Sequence, residues 1–360
     1  MRVVGIERFT RARDLLLRVT SAEADLAVVL DAVVKALHEV TTFSWCAVMP
    51  VDPQTLLPTA GVVEGFPPET CAPFWDHELL APGFNKFNVL ARSTDTVATL
   101  VDATDGNLQR APIYSEVYSL LGVADELRAA FVVGSTCWGI AVLVRSAADG
   151  GYPDEEVDHV RALAPFIARA IRGAVCRLDA AASADAAMVV VDAGNHVINL
   201  TVQAKELLDD LRTVGVDEPG IPSTVANAAT RARSSRTSTH FATRVRGTSG
   251  RWLRITASPM ASGDGSVAVI LEPARAADLT PILLESYGLT AREVEIVLML
   301  ARGLATKQIA AELSLSSHTV RDHVKAIFEK AGVNSRGELA ARLFSEHLLE
   351  SFERSVHHAS

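Results

Sequence analysis

Residues 288–344 read GLTAREVEIVLMLARGLATKQIAAELSLSSHTVRDHVKAIFEKAGVNSRGELAARLF. Within this stretch, Ala305 to Leu313 carries Ile309, Ala310 and Leu313 at the spacing of one buried helical face. Ser314-Leu315-Ser316 breaks that pattern, and Ser316 or Ser317 can N-cap a second helix from about His318 to Ala331. On the second helix Val320, Val324, Ile327 and Phe328 form an inward stripe, leaving Thr319, Arg321, Asp322, Lys325 and Lys330 outward. A short scaffold helix, a tight turn and a polar-faced second helix spell a helix-turn-helix, whose second helix fits the DNA major groove.

The stretch resembles the DNA-binding domain of LuxR-type transcription regulators. The family pattern is met by Leu289-Thr290, Arg292-Glu293, Glu295, Leu300-Ala301, Gly303, Lys307, Ile309-Ala310, Leu313, Ser316, Thr319-Val320-Arg321, His323, Ile327, Lys330, Val333, Ser335-Arg336 and Glu338-Leu339-Ala340. Val294, Val297 and Ala331 depart from it, away from the expected DNA face. Carried over position by position, the resemblance implies that Arg321, Asp322 and Lys325 face bases. It implies that Thr306, Lys307, Ser317, Thr319 and Lys330 hold the backbone. Arg and Lys can reach guanine acceptors, and Asp can accept from the cytosine amino group. For each residue the competing reading is a solvated helix surface. His323 is open between a phosphate contact and packing on the scaffold helix.

The 360-residue chain has room for two or three domains. Hydrophobic residues are 49% and charged residues 21%, an ordinary globular composition. A net charge of −9 argues against a protein that coats nucleic acid generally. It leaves room for one small DNA reader whose positive charge is local, as at Lys307, Arg321, Lys325 and Lys330. Cys46, Cys71, Cys137 and Cys176 are scattered with no C-x-x-C pair, which fits reduced thiols in a cytoplasmic protein. The N-terminus lacks a secretory apolar core. The most apolar run, Phe131 to Val144, is too short for a membrane helix and is broken by Gly134-Ser135. It reads as two buried strands.

The expected fold class is α+β, in three parts. Residues 1 to about 40 are helical by their three-four apolar spacing. Trp45 to Val63 has strand-and-turn grammar, and a Pro-rich, loop-like middle follows. The two strands of Ala129 to Val144 then lead to a helix from Asp154 to Ile171. The run Trp138 to Arg145 with that helix resembles the end of a GAF domain, giving a GAF-like antiparallel-sheet sensor domain over 1–178. A second module, 184–274, is similar to a PAS domain. Met188 to Asp192 and Val197 to Leu200 are strands, Gln203 to Leu211 a helix, and Arg251 to Met260 pairs with Ser266 to Leu271 across Gly263-Asp264-Gly265. Its centre, Thr230 to Thr239, reads as a flexible or divergent stretch. An all-α, four-helix LuxR-type domain is expected over 286–350. No internal repeat is visible.

No catalytic motif or phosphate cradle is present, so no catalytic residues and no cofactor are expected. His77, Cys71, Asp76 and Glu78 lie near one another but match no ligand spacing, so no metal is expected. Aromatic residues concentrate in the first module. Core packing explains most of them, while Phe74, Trp75 and Phe84 in the loop-like stretch are candidates for a ligand-pocket wall. The rival reading of that module is a dimerisation or docking platform without a ligand.

The reading is a cytoplasmic, sequence-specific transcription regulator. Its expected partners are double-stranded DNA, a second copy of the chain, a small-molecule effector and RNA polymerase, but not a membrane. The dimer contact is sought on the first helices, on Asp154 to Ile171, or on a last helix through Leu339, Leu343 and Leu348. Two alternatives stand beside it. A sigma-factor-like protein would need a basic, aromatic promoter-melting region. A signalling enzyme with an accessory DNA domain would need a catalytic constellation.

Overall fold

A computed structural model of the chain describes residues 2–176, 185–215, 220–235 and 240–340. It divides into two compact units, Met1–Pro273 and Ala274–Ser360. The expected domain limits at 178 and 184, and the expected end at 350, lie at or outside the edges of the described residues.

The first unit opens with α1 (Arg2–Ser21) and α2 (Leu26–Val40). In α2 the buried Leu26, Val29, Leu30, Val33, Val34, Leu37 and Val40 follow the three-four spacing read from sequence. Strands β1 (Trp45–Pro50), β2 (Val62–Glu64), β3 (Val97–Thr99), β4 (Val123–Val133) and β5 (Thr136–Ser146) form an antiparallel sheet in the order β2-β1-β5-β4-β3. The hairpin β4–β5 turns at Gly134, which has φ +65°. Helix α7 (Asp154–Val175) joins α1 and α2 in a layer on one sheet face. Gly139 of β5 permits this approach, since an added Cβ would sit 2.8 Å from Ile171 Cδ1.

The other face carries a correction. The loop-like middle is built largely of short helices: α3 (Cys71–Leu79), α4 (Phe87–Leu90), α5 (Leu100–Ala103) and α6 (Pro112–Glu116). They cover the sheet with Phe74, Trp75, Phe87, Leu90 and Ile113 against Ala130, Ile140, Val142 and Val144. Proline misled the sequence reading here. Pro112 occupies the first turn of α6, where its missing N–H costs no intrahelical bond, and Pro73 lies early in α3.

A second antiparallel sheet follows. Its strands are β6 (Ala187–Val191), β7 (Val197–Leu200), β8 (Phe241–Arg246), β9 (Trp252–Pro259) and β10 (Val267–Pro273), in the order β7-β6-β10-β9-β8. Renumbered from its own first strand, this is again 2-1-5-4-3. The same connectivity is therefore used twice in a chain whose sequence displays no repeat. Helices α8 (Val202–Asp210) and α9 (Ser223–Ser234) complete the module. On α9, Val225, Ala228, Ala229 and Ala232 are small enough to lay the helix closely on the sheet. The stretch from Thr230 is thus helical to Ser234 and β-strand from Phe241, whereas residues 236–239 lie outside the described residues.

One edge of each sheet, β2 and β8, is covered by a loop of the other module, which blunts it against further pairing. Beside β2, Val63 N–H donates to Val214 O at 3.1 Å. Beside β8, Arg246 N–H donates to Thr59 O at 2.8 Å, and Asp52 receives the Arg244 guanidinium.

The second unit is helical where described: α10 (Ala276–Ser286), α11 (Ala291–Ala301), α12 (Thr306–Glu312) and α13 (Ser317–Ala331). Helical backbone resumes over 336–340. Leu339 is buried there, while Leu343 and Leu348 lie outside the described residues.

Candidate nucleic-acid interface

The helix-turn-helix is set by its caps. Thr290 Oγ1 accepts from Glu293 N–H and Glu293 Oε2 accepts from Thr290 N–H, a reciprocal box that starts α11. Gln308 Oε1 accepts from Ala305 N–H at 2.7 Å and starts α12. Ser314 takes φ +53° in the turn. Ser316, the N-cap of α13, accepts from Thr319 N–H at 3.0 Å, and Gly332 ends that helix with φ +63°. The start of α13 is one residue earlier than the sequence placed it. Ile296, Val297, Leu300, Ile309, Ala310, Val320 and Ile327 form the core between these helices. Of the expected inward stripe, Val320 and Ile327 are buried, while Val324 and Phe328 are half-buried.

The outward side chains divide into two groups. Arg321, Lys325 and Lys307 are exposed. Lys325 has only Glu329 nearby, at 4.0 Å, and Arg321 and Lys307 have no ion-pair partner among the described residues. Asp322 is exposed but engaged, with His318 Nδ1 at 2.8 Å from its Oδ2. Thr319 shares its hydroxyl with Ser316 at 2.9 Å, and Ser317 and Thr306 are half-buried at the starts of their helices. Lys330 is engaged within the domain. Its Nζ lies 2.6 Å from Glu293 Oε2, tying the end of α13 to the start of α11. Burial alone would raise the Glu293 pKa. The Lys330 ammonium and the hydrogen bonds from Thr290 outweigh it and hold the carboxyl below its ordinary value. His323 is half-buried.

Two arginines of the sequence pattern also hold the scaffold. Arg336 donates to Leu300 O at 3.0 Å and to Leu304 O, satisfying carbonyls near the end of α11. Arg292 donates to Leu313 O at 2.7 Å, at the end of α12. Periodicity cannot separate such a bracing arginine from a DNA-facing one, because both lie at the surface and differ only in what they reach.

The aromatic candidates in the first unit are divided. Phe74 and Trp75 sit together on α3, edge-to-face at 5.3 Å, and are buried. They wall a cavity of about 60 Å³ with Met49, Val63, Phe66 and Tyr118. That is far below the ~300 Å³ at which ligand pockets usually begin. Phe84 lies apart, 5.6 Å below the Arg110 guanidinium.

Beside Phe74 the sheet face is filled by a charged cluster that sequence reading missed. Arg128 bonds Glu126 at 2.9 Å and Glu78 at 2.8 Å, lies over Phe74 at 5.0 Å, and Tyr118 donates to Glu126 at 2.7 Å. Burial raises the Glu78 pKa against the pull of Arg128. The available signal was Glu126 and Arg128 at i and i+2 in an otherwise apolar strand, which places both on one face. The thiols of Cys46 and Cys137 are buried, which raises both pKa values, that of Cys137 to about 12; neither has the character of a reactive thiolate.

Among the described residues no helix is long and apolar enough to cross a membrane. Residues 287–343 match the family model "Bacterial regulatory proteins, luxR family". The chain is 50% identical over 56 residues to the transcriptional regulatory protein UhpA of Escherichia coli, covering 16% of this chain and 29% of that protein. It is 37% identical over 76 residues to the probable transcriptional regulatory protein NarL of Mycobacterium tuberculosis, covering 21% and 32%. The chain thus spans about a third or less of these relatives. Among solved structures, a GAF domain/HD domain protein from Geobacter sulfurreducens aligns at TM-score 0.31 and 20% identity, over 41% of this chain and 93% of that one. Escherichia coli SdiA aligns at TM-score 0.31 and 11% identity, over 93% and 95%. At these scores neither superposition defines the fold; strand order and register do. The C-terminal unit of this chain carries a LuxR-type helix-turn-helix domain.

Proposed function

We propose that the protein is a sequence-specific, DNA-binding transcription regulator that reads its operator with α13. One observation carries this reading. Arg292, Arg336 and Lys330 are committed to bracing the domain, whereas Arg321 and Lys325 stand exposed one turn apart on the same helix. In this proposal Arg321 and Lys325 reach base edges, and Asp322 joins them on leaving His318. Lys307, Thr306, Ser317 and Thr319 hold phosphates, and Lys330 positions α13 through Glu293. The relatives, named as regulators, support a role outside catalysis. A reader of bacterial DNA works in the cytoplasm.

A single domain of this size buries roughly 600–1,000 Å², too little for tight specific binding. Two chains per operator therefore belong to the proposal. The two sheet modules of Met1–Pro273 serve as the regulatory part, with boundaries proposed near 178 and 184.

The test selects bound sequences from a random duplex library with the full chain, then titrates the selected site. A reproducible site, two chains per site by sedimentation, and loss of base preference in Arg321→Ala are expected. Failure to enrich any sequence, or unchanged preference in a folded Arg321→Ala, overturns the reading.

A further inference from the structure

Within Met1–Pro273, the outer face of α9 and the facing helix α3 border a cleft of about 730 Å³. Its size falls in the usual ligand range of ~300–1,000 Å³. One wall is apolar, with Pro68, Trp75 and Leu80. It shares Pro68, Cys71 and Trp75 with the small apolar cavity behind. The other wall is polar, with Asn195, Asn227, Thr230 and Arg233.

Among the described residues two groups of the polar wall stand out, one a donor without an acceptor and one a cation without a paired carboxylate. Asn227 is 3% exposed, and its Nδ2 has no hydrogen-bond partner among the described residues. A buried donor left without an acceptor is destabilising, and an acceptor that reaches it relieves that cost. Arg233 is held by neutral oxygens. Its Nε donates to Gly265 O at 2.8 Å, and its Nη2 to Asp192 O at 2.7 Å and Asn195 Oδ1 at 2.6 Å. Among the described residues no carboxylate lies within ion-pair distance of it. Burial lowers the Arg233 pKa, while the charges of Asp192 and of Asp76 on α3 act to raise it.

We infer that this cleft binds a small amphipathic carboxylic acid bearing a second oxygen acceptor. Its carboxylate meets Arg233, its second oxygen meets Asn227, and its apolar body lies against Trp75 and Leu80. Asn227 and Arg233 are six residues apart on α9, roughly 9 Å along the axis, so one group cannot serve both positions by their backbone spacing alone. An apolar wall facing polar donors excludes a fully polar metabolite on one side and a hydrocarbon on the other. The inference deepens the proposed regulatory role of this unit. Binding is nevertheless measured without DNA, so its failure and that of the DNA reading are distinct.

The test titrates the full chain with a panel of N-acyl aromatic amino acids, their neutral amides, and arylalkyl acids lacking the acyl oxygen, by calorimetry and thermal shift. The N-acyl acids should bind, and the amides about tenfold or more weakly, for loss of a charge-assisted contact. Ala72→Trp, at an exposed α3 position on the cleft, should block binding by filling the space. Asp76→Asn, also exposed, should tighten binding by removing the facing negative charge. Arg233→Met should abolish the preference for acid over amide. Absence of binding by every acid, equal binding of acids and amides, or binding undisturbed in Ala72→Trp would overturn the inference.

Discussion

At the scale of single residues, the helix-turn-helix separates charges that brace from charges that read. Arg321 and Lys325 should each cost roughly 1–3 kcal/mol of operator affinity when changed to Ala, with relaxed base preference, in anisotropy titrations. Lys307→Ala should instead weaken all sequences alike and lower the salt slope by about one unit. Glu293 makes a different prediction. Its carboxyl is held below its ordinary value by Lys330 and Thr290, despite burial. A depressed folded pKa stabilises the folded state above the unfolded value of about 4.3, and that contribution is lost as pH falls through the folded pKa. Glu293→Gln should therefore lower thermal stability at neutral pH and flatten the decline of stability below about pH 4.3. A variant whose acid limb matches the wild type would show that this carboxyl does not carry the dependence.

Among the elements, the legible ones were those whose local pattern agrees with their final environment. The helices α2 and α7 and the hairpin β4–β5 follow apolar periodicity, and α13 follows its Ser316 cap. The elements missed were short, or their pattern was not apolar. Helix α3 has Pro73 near its start, and β8, FATRVR, turns Arg244 and Arg246 into buried positions that look like solvent-facing ones. The repeated 2-1-5-4-3 order was invisible because connectivity depends on which strands pair, whereas the two sheets use unrelated side chains. For the site, sequence placed α13 and its outward positions but not the bracing bonds of Lys330, Arg292 and Arg336, which depend on side-chain reach. The caps allow a quantitative check. Ser316→Ala should destabilise the C-terminal unit by about 1 kcal/mol. Gly332→Ala, forcing a Cβ into left-handed backbone at φ +63°, should cost about 1–2 kcal/mol. Chemical denaturation measures both, and a neutral Ser316→Ala would mean that the cap bond to Thr319 is replaced by water.

At the scale of the whole molecule, the two sheets of Met1–Pro273 are joined through a buried ion pair. Asp52 is 0% exposed. Arg244 donates to it from Nη2 at 2.7 Å and from Nε at 2.9 Å, its backbone N–H adds a bond at 3.1 Å, and Thr243 Oγ1 adds one at 3.2 Å. Such a pair contributes little over an apolar pair of equal volume, but removing one partner strands a buried charge and costs about 3–5 kcal/mol. The direction of the loss follows from where the pair sits. It bridges the loop after β1 and strand β8, so the loss falls on the joint and not on either core. Differential scanning calorimetry of the wild type should show one transition for this unit, and Asp52→Ala should split it into two as the sheets uncouple. The double variant Asp52→Leu with Arg244→Met should recover much of the lost stability, because neither charge is then buried alone. The cleft between α3 and α9 takes its walls from the same two modules. A ligand there spans both modules, so its thermal shift should be large in the wild type and reduced in Asp52→Ala, where the walls are no longer held in register. An unsplit transition in Asp52→Ala, with less than about 1 kcal/mol lost, would place the coupling in the backbone bonds at Thr59 and Val214 and remove the ion pair from the account.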